Sequence, residues 1–210
     1  MSPAFIEALM GTLASQNPEP RSELDFRTPY ELLVAVTLSA QSTDAGVNKV
    51  TPGLFALAST PTRMLDLGVE GVEREIRTLG LYRSKARHLI EAARMLIERH
   101  NGQVPDHREA LEALPGVGRK TANVVLNIAF GHPTLAVDTH VFRVANRTGL
   151  AEGKTPEQVE RQLLDSIPDR FLPHAHHWLL LQGRHICQAR TPKCSVCTIR
   201  AYCKFPDKTD

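Results

Sequence analysis

The sequence predicts an all-α protein, and three observations carry that reading. Apolar residues recur at helical spacing in nearly every segment between breaks, most of those segments open on their own start signal, and no run alternates and is bounded as a strand would be. At 210 residues the chain could form one domain or two, and it is long enough to bury a substantial core. No solenoid-length repeat and no low-complexity segment interrupts it.

Taken in order, Phe5 to Leu13 is a short amphipathic segment closed by Asn17-Pro18-Glu19-Pro20. Thr28-Pro29-Tyr30-Glu31 is a capping box with proline at the first helical position, opening a helix through Leu32, Leu33, Val36 and Ala40. That helix is apolar nearly all round and should be buried. Ser39 to Asp44 breaks it with polar residues before a helix from about Ala45 to Leu57. Thr60-Pro61 starts a short helix, Val69 to Arg77 forms another, and Gly80-Leu81-Tyr82-Arg83 reads as a turn. Ser84 should open a long helix with Ala86, Leu89, Ile90, Ala93 and Ile97 inward, ended by Asn101-Gly102.

The next stretch, Leu114 to Asp138, is the most informative. A short helix from Arg108 to Leu114 leads into Pro115-Gly116-Val117-Gly118, followed by a helix on which Ala122, Val125, Leu126 and Ala129 share one face, with Gly131 as its stop. Two glycines around one residue permit positive φ and a close approach by another backbone or an anion. Together with the unpartnered amides of a helix start, Gly116, Val117 and Gly118 form a geometry suited to phosphate. Asp138 should cap a helix through Val141, Phe142 and Ala145, Thr155-Pro156-Glu157-Gln158 is a second capping box, and a last helix should run from about Pro173 to His185.

Lys120 lies in the first turn after the hairpin, where the helix macrodipole opposes its charge. That effect is worth about 0.3 to 1 kcal/mol, under one pKa unit, against a lysine that starts near ~10.4. The dipole alone therefore makes no nucleophile at neutral pH; burial or a nearby proton acceptor must do most of it. A lone lysine here is ordinarily solvated. Asp138 becomes its partner if the chain folds back across Gly131-His132-Pro133, and otherwise remains a plain cap.

Composition is ordinary for a globular protein, 42% apolar and 23% charged, and the net charge of +2 announces no bulk nucleic-acid affinity. Phosphate binding must come from local patches, such as Arg184 to Lys204 with five basic residues and no acidic one. The apolar runs are too short to span a membrane, and the N-terminal residues lack the basic start of a secretory signal, so a cytoplasmic protein without a membrane partner is expected. The four cysteines, Cys187, Cys194, Cys197 and Cys203, crowd into the tail as C-x6-C-x2-C-x5-C, which in that compartment argues for a metal rather than disulfides. By spacing alone iron–sulfur and zinc remain equally open.

Gln41 and Leu81 sit in turn-like contexts, where such residues are ordinarily a cap and a satellite of the core; the functional alternative is insertion into a DNA stack when a base is turned out. His174, His176, His177 and His185 lack an accompanying carboxylate pattern and read as surface or packing residues.

Taken together, LPGVGRKTANVVLN, GHP…VDTH, LLVAVTLSAQSTD, GLYRSKA and the cysteine spacing resemble the endonuclease III branch of the helix-hairpin-helix (HhH-GPD) DNA glycosylase superfamily over nearly the whole chain. The resemblance implies two helical lobes with the active site in the cleft between them. One is a helical barrel over residues 22–132; the other joins 1–21 to 133–210 and carries a 4Fe-4S cluster loop. It implies a bifunctional DNA glycosylase/AP lyase acting as a monomer on double-stranded DNA with oxidised pyrimidines or abasic sites. Lys120 would be the Schiff-base nucleophile, Asp138 its assisting carboxylate, Gln41 the filler of the vacated stack and Leu81 the wedge in the opposite strand. Gly116, Val117 and Gly118 would hold phosphate, and the four cysteines would ligate the cluster.

Two rivals are weighed against this. An adenine-specific mispair glycosylase of the same superfamily typically lacks a lysine at the position of Lys120 and extends into a further C-terminal domain. A non-catalytic hairpin module with a structural metal predicts no covalent chemistry.

Overall fold

The computed structural model describes residues 1–209, and among them there are ten α-helices, a few short turns of 3₁₀ or π type, and no strand. The helices are α1 (Pro3–Gln16), α2 (Pro29–Ser39), α3 (Asp44–Leu57), α4 (Pro61–Ile76), α5 (Tyr82–His100), α6 (Arg108–Glu112), α7 (Arg119–Phe130), α8 (Thr139–Thr148), α9 (Pro156–Ser166) and α10 (Leu172–Leu181). No helix is long and apolar enough to cross a membrane. The chain divides into two compact units, one of Ser22–Gly131 and one joining Met1–Arg21 to the described residues from His132 onward.

Local chemistry accounts for most of the helix starts. Thr28 accepts from the Glu31 amide at 3.1 Å, and the Glu31 carboxylate accepts from the Arg27 amide at 2.7 Å. The second box repeats the arrangement, with Thr155 accepting from Gln158 at 3.3 Å and the Gln158 side chain taking the Lys154 amide at 2.8 Å. In both, the returning side chain reaches one residue before the cap, so the box also ties down the incoming chain. Thr43 and Thr60 cap α3 and α4 in the same way.

In the 22–131 unit, α2 buries every residue from Tyr30 to Leu38, as expected of a helix apolar on all sides. It packs against α3, α5 and α7, while α4 lies along α3 and α5. Gly68 interrupts α4 with φ 68° and ψ 171°, giving two helical pieces where the sequence predicts two helices. The long helix α5 begins at Tyr82, two residues before the predicted Ser84. Leu81 takes a left-handed conformation at its start, and its carbonyl receives the Lys85 amide at 3.0 Å and the Ser84 hydroxyl at 3.0 Å.

The other unit has a core built from Ile6, Leu9, Met10 and Leu13 of α1 with Leu135, Val137, Val141, Val144, Leu163, Trp178 and Leu179. The Trp178 indole donates to the Asn17 carbonyl at 2.7 Å, and Arg170 pairs with Glu7, tying α1 to the distant end of the chain. His176 and His177 are buried, and His176 Nδ1 bonds the Ala136 carbonyl at 2.8 Å, so these histidines pack as expected. The last helix runs to the neighbourhood of His185 as the sequence predicts, but not as one regular α-helix. After Leu181 the backbone widens into a π turn over Gln182–Ile186, whose first carbonyl takes the Cys187 amide at 2.7 Å. There a Cβ on Gly183 would lie 2.8 Å from His140 Cβ and 3.0 Å from its carbonyl oxygen, so the turn is pressed against α8.

Candidate functional site

Within the 22–131 unit the hairpin forms by a Val117 amide to Leu114 carbonyl bond of 3.0 Å, and Val117 and Leu114 are both buried beneath it. Only one of its glycines uses positive φ. Gly116 sits at φ +79°, and a Cβ there would come within 3.0 Å of His88 Cβ. Gly118 instead is extended, at φ −99° and ψ 177°, and serves as the N-cap of α7. A Cβ on Gly118 would meet nothing within 4 Å, so no contact inside the protein demands glycine there. No side chain caps α7, which leaves the exposed Gly118 face at the amide end of the helix. Lys120 is the second residue of this helix and is partly buried.

The same unit brings Gln41 and Leu81 together. Both hold left-handed backbone, with φ 55° and 57°, which costs an ordinary L-residue roughly 1–2 kcal/mol. Asn101, the remaining non-glycine residue of this kind among those described, ends α5, a place where asparagine is tolerated. Gln41 and Leu81 have no such excuse, and Leu81 keeps 59% of its surface exposed. A Cβ on Gly80 would lie 3.8 Å from the Gln41 carbonyl, so the two loops run side by side. Lys85 joins them: it is 5% exposed and its Nζ donates to Ser42 Oγ at 2.7 Å. Burial holds the Lys85 ammonium below the ordinary lysine range.

In the other unit Asp138 caps α8. Its Oδ1 accepts from the His140 amide at 2.9 Å and the Val141 amide at 2.8 Å, which leaves Oδ2 outside the cap. Lys120 and Asp138 thus belong to different units, each with its local geometry set by its own helix start.

The four cysteines converge on one small pocket, lined also by Val144, Gln182, Ile199 and Phe205. None of the four is in a disulfide. Three of their sulfurs receive N–H donors: Arg147 Nη1 on Cys187 at 3.5 Å, Gln182 Nε2 on Cys197 at 3.2 Å and the Phe205 amide on Cys203 at 3.5 Å. Burial pushes the Cys197 and Cys203 thiols up, and the neighbouring cysteines add to it. Among the described residues no three acidic, histidine or cysteine side chains are grouped to hold a single metal ion. Four sulfur donors around a shared space, partly shielded from water and met by N–H groups, is a donor set for a soft metal centre.

Residues that the sequence did not flag hold this loop in place. Arg143 Nε donates to the Cys187 carbonyl at 2.8 Å and its Nη2 to the Gly183 carbonyl at 2.8 Å. Arg147 reaches the Gln188 carbonyl at 2.7 Å and the Ala189 carbonyl at 2.8 Å, and stacks over Phe205 at 4.4 Å. Their i, i+4 spacing on α8 puts both on one face, but such a pair on an amphipathic helix reads in sequence as a solvated stripe. Lys85 and Gln182 carried no signal at all, because their partners are remote in the chain.

Comparison with known proteins follows the same outline. Residues 34–169 match the family model of the HhH-GPD superfamily base excision DNA repair protein. The endonuclease III of Escherichia coli (strain K12) is 57% identical over 202 residues, 96% of each chain. That of Haemophilus influenzae (strain ATCC 51907 / DSM 11121 / KW20 / Rd) is 55% identical over the same share. Among solved structures, a trapped endonuclease III–DNA covalent intermediate, an estranged-adenine complex, superposes with a TM-score of 0.91 at 43% identity, covering 97% of this chain and 96% of that one. A thermostable thymine-DNA glycosylase superposes at 0.85 with 25% identity, covering 98% and 96%. With its hairpin, its two all-helical units and its cysteine-lined pocket, the chain belongs to the HhH-GPD superfamily of base excision DNA repair proteins.

Proposed function

We propose that this protein is a bifunctional DNA glycosylase and AP lyase of the endonuclease III kind, acting on oxidised pyrimidines and abasic sites in double-stranded DNA. The observation that carries the reading is Lys120 in the first turn of α7, directly after an uncapped, glycine-faced hairpin. A phosphate held at Gly116, Val117 and Gly118 brings the sugar chain to the amine, and the bare Gly118 leaves room for that backbone to approach. The relative trapped as a covalent intermediate with DNA supports a nucleophile that stays bonded to its substrate.

The Lys120 amine attacks C1′ of the damaged nucleotide, and the electrons of the glycosidic bond leave with the base, which takes up a proton. The amine loses a proton as the sugar opens to the imine. The imine acidifies the neighbouring sugar proton, whose loss expels the 3′ phosphate and cuts the strand. Asp138 assists Lys120 and stabilises the cationic sugar; because Oδ1 is committed to the cap, Oδ2 is the oxygen for this work. Gln41 fills the gap left by the extruded base and Leu81 wedges the opposite strand, and the strain stored in both loops fits residues kept for a partner.

Residues 22–132 act as the helical barrel, and 1–21 with 133–210 as the second domain. Cys187, Cys194, Cys197 and Cys203 would hold a 4Fe-4S cluster, which suits four sulfurs arranged around one space. Bound there, it would cross-link the basic loop and supply no chemistry to base removal. The protein works as a monomer in the cytoplasm, on the nucleoid.

Borohydride reduction in the presence of abasic-site DNA tests the central step. Wild type becomes covalently trapped and Lys120→Ala does not; equal trapping of both places the nucleophile elsewhere. Asp138→Asn should keep DNA binding and lose most turnover, whereas loss of binding would return Asp138 to capping alone.

A further inference from the structure

Two side chains on the wall of the cysteine pocket aim N–H donors at its sulfurs. Gln182 is 6% exposed, and its backbone already serves the loop through the Cys187 amide at 2.7 Å. Its side chain does something separate: Nε2 reaches across the pocket wall to Cys197 Sγ at 3.2 Å. Arg147 likewise commits its guanidinium to the Gln188 and Ala189 carbonyls and still places Nη1 at 3.5 Å from Cys187 Sγ. The two side chains thus bring a neutral and a cationic N–H to two different sulfurs. The third, Cys203, is served by the peptide amide of Phe205, a backbone rather than a side-chain donor.

We infer that Gln182, and with it Arg147, sets the reduction potential and iron retention of the bound cluster by hydrogen-bonding its ligand sulfurs. The inference rests on the 4Fe-4S reading proposed above. An N–H on a thiolate ligand draws off negative charge, so the reduced, more negative state is stabilised and the potential rises. Of the two, Gln182 is the cleaner position: Arg147 also braces the loop, whereas the Gln182 side chain bonds only a sulfur among the described residues.

The experiment compares the holoprotein with Gln182→Met, of similar volume without a donor, and Gln182→Glu, of the same shape with an acceptor and a negative charge. Midpoint potential by spectroelectrochemistry should fall in the order wild type, Met, Glu, and iron release to a chelator should be about 10-fold faster in the variants. Packing damage alone would not produce that order, because Glu is the closer isostere. Gln182→Asn, which withdraws the amide by one methylene, serves as a milder variant if either substitution lowers expression, and should fall between wild type and Met. Equal potentials at full iron content overturn the inference and leave the cluster reading standing. Wild-type protein with zinc and without iron or sulfide overturns both.

Discussion

The hairpin and the cysteine loop are the two non-helical parts of the proposed machinery, and they are held by different physics. Around the hairpin, α2, α6 and α7 bury Leu32, Val36, Leu111, Leu114 and Val125, and the turn is an outcome of that packing. From Cys187 onward the described residues form two 3₁₀ turns, with Ile199 as the chief apolar anchor; the segment hangs instead on arginine-to-carbonyl bonds and on sulfur contacts. The lesson is that the first region rests on buried apolar surface, while the second rests on polar contacts to its carbonyls and sulfurs.

Removing one cysteine should break this contrast most completely. Structural metal binding contributes on the order of 10 kcal/mol to small cysteine sites, more than the loop can replace. In Cys203→Ser we expect loss of iron and protease cleavage within 187–209, with the helical circular dichroism of the rest largely kept. Uniform unfolding would show that the two regions share one cooperative unit.

The hairpin glycines sharpen the comparison from the other side. Gly116→Ala meets both a positive φ and His88, and should cost about 1–3 kcal/mol by denaturant unfolding. Gly118→Ala meets neither, so its stability should stay within about 0.5 kcal/mol while affinity for duplex DNA falls. A large stability loss at Gly118 would make it a structural glycine.

Smaller effects are expected at the strained loops, with the sign reversed. Leu81→Gly or Gln41→Gly relieves a left-handed L-residue at the cost of a freer unfolded chain, for a net gain of about 0.5–1 kcal/mol. Activity on lesions paired in a duplex should nevertheless drop; a variant that gains stability without that loss would strip the loops of their proposed role.

The smallest effect concerns pH. Lys85 has a folded-state pKa below its ordinary 10.5, so the unfolded chain binds more protons in the window between the two values. Stability from this group is therefore full above the ordinary pKa and lost as pH falls through the lowered one. Lys85→Met should flatten that slope in chemical denaturation followed from neutral to alkaline pH.

How much was legible beforehand follows the range of the interactions. Thr28 with Glu31 and Thr155 with Gln158 were readable because cap and partner lie within one helical turn. The burial of α2, the break at Gly68, the hairpin, Lys120, Asp138 as a cap and the cysteine spacing were readable for the same reason. The extent of the last helix was readable, but the π turn within it was not: it lies where Gly183 meets His140, 43 positions away in the sequence.

By itself, then, the sequence determined which segments are helical, where most of them start and which faces are apolar, because these depend on neighbours three or four residues away. Only the tertiary structure decided that Gln41 and Leu81 would be held left-handed side by side, that Lys85 would be buried against Ser42, and that four cysteines would face one pocket with Arg147 and Gln182 behind them. Each of these requires groups distant along the chain to meet, and no local propensity encodes such a meeting.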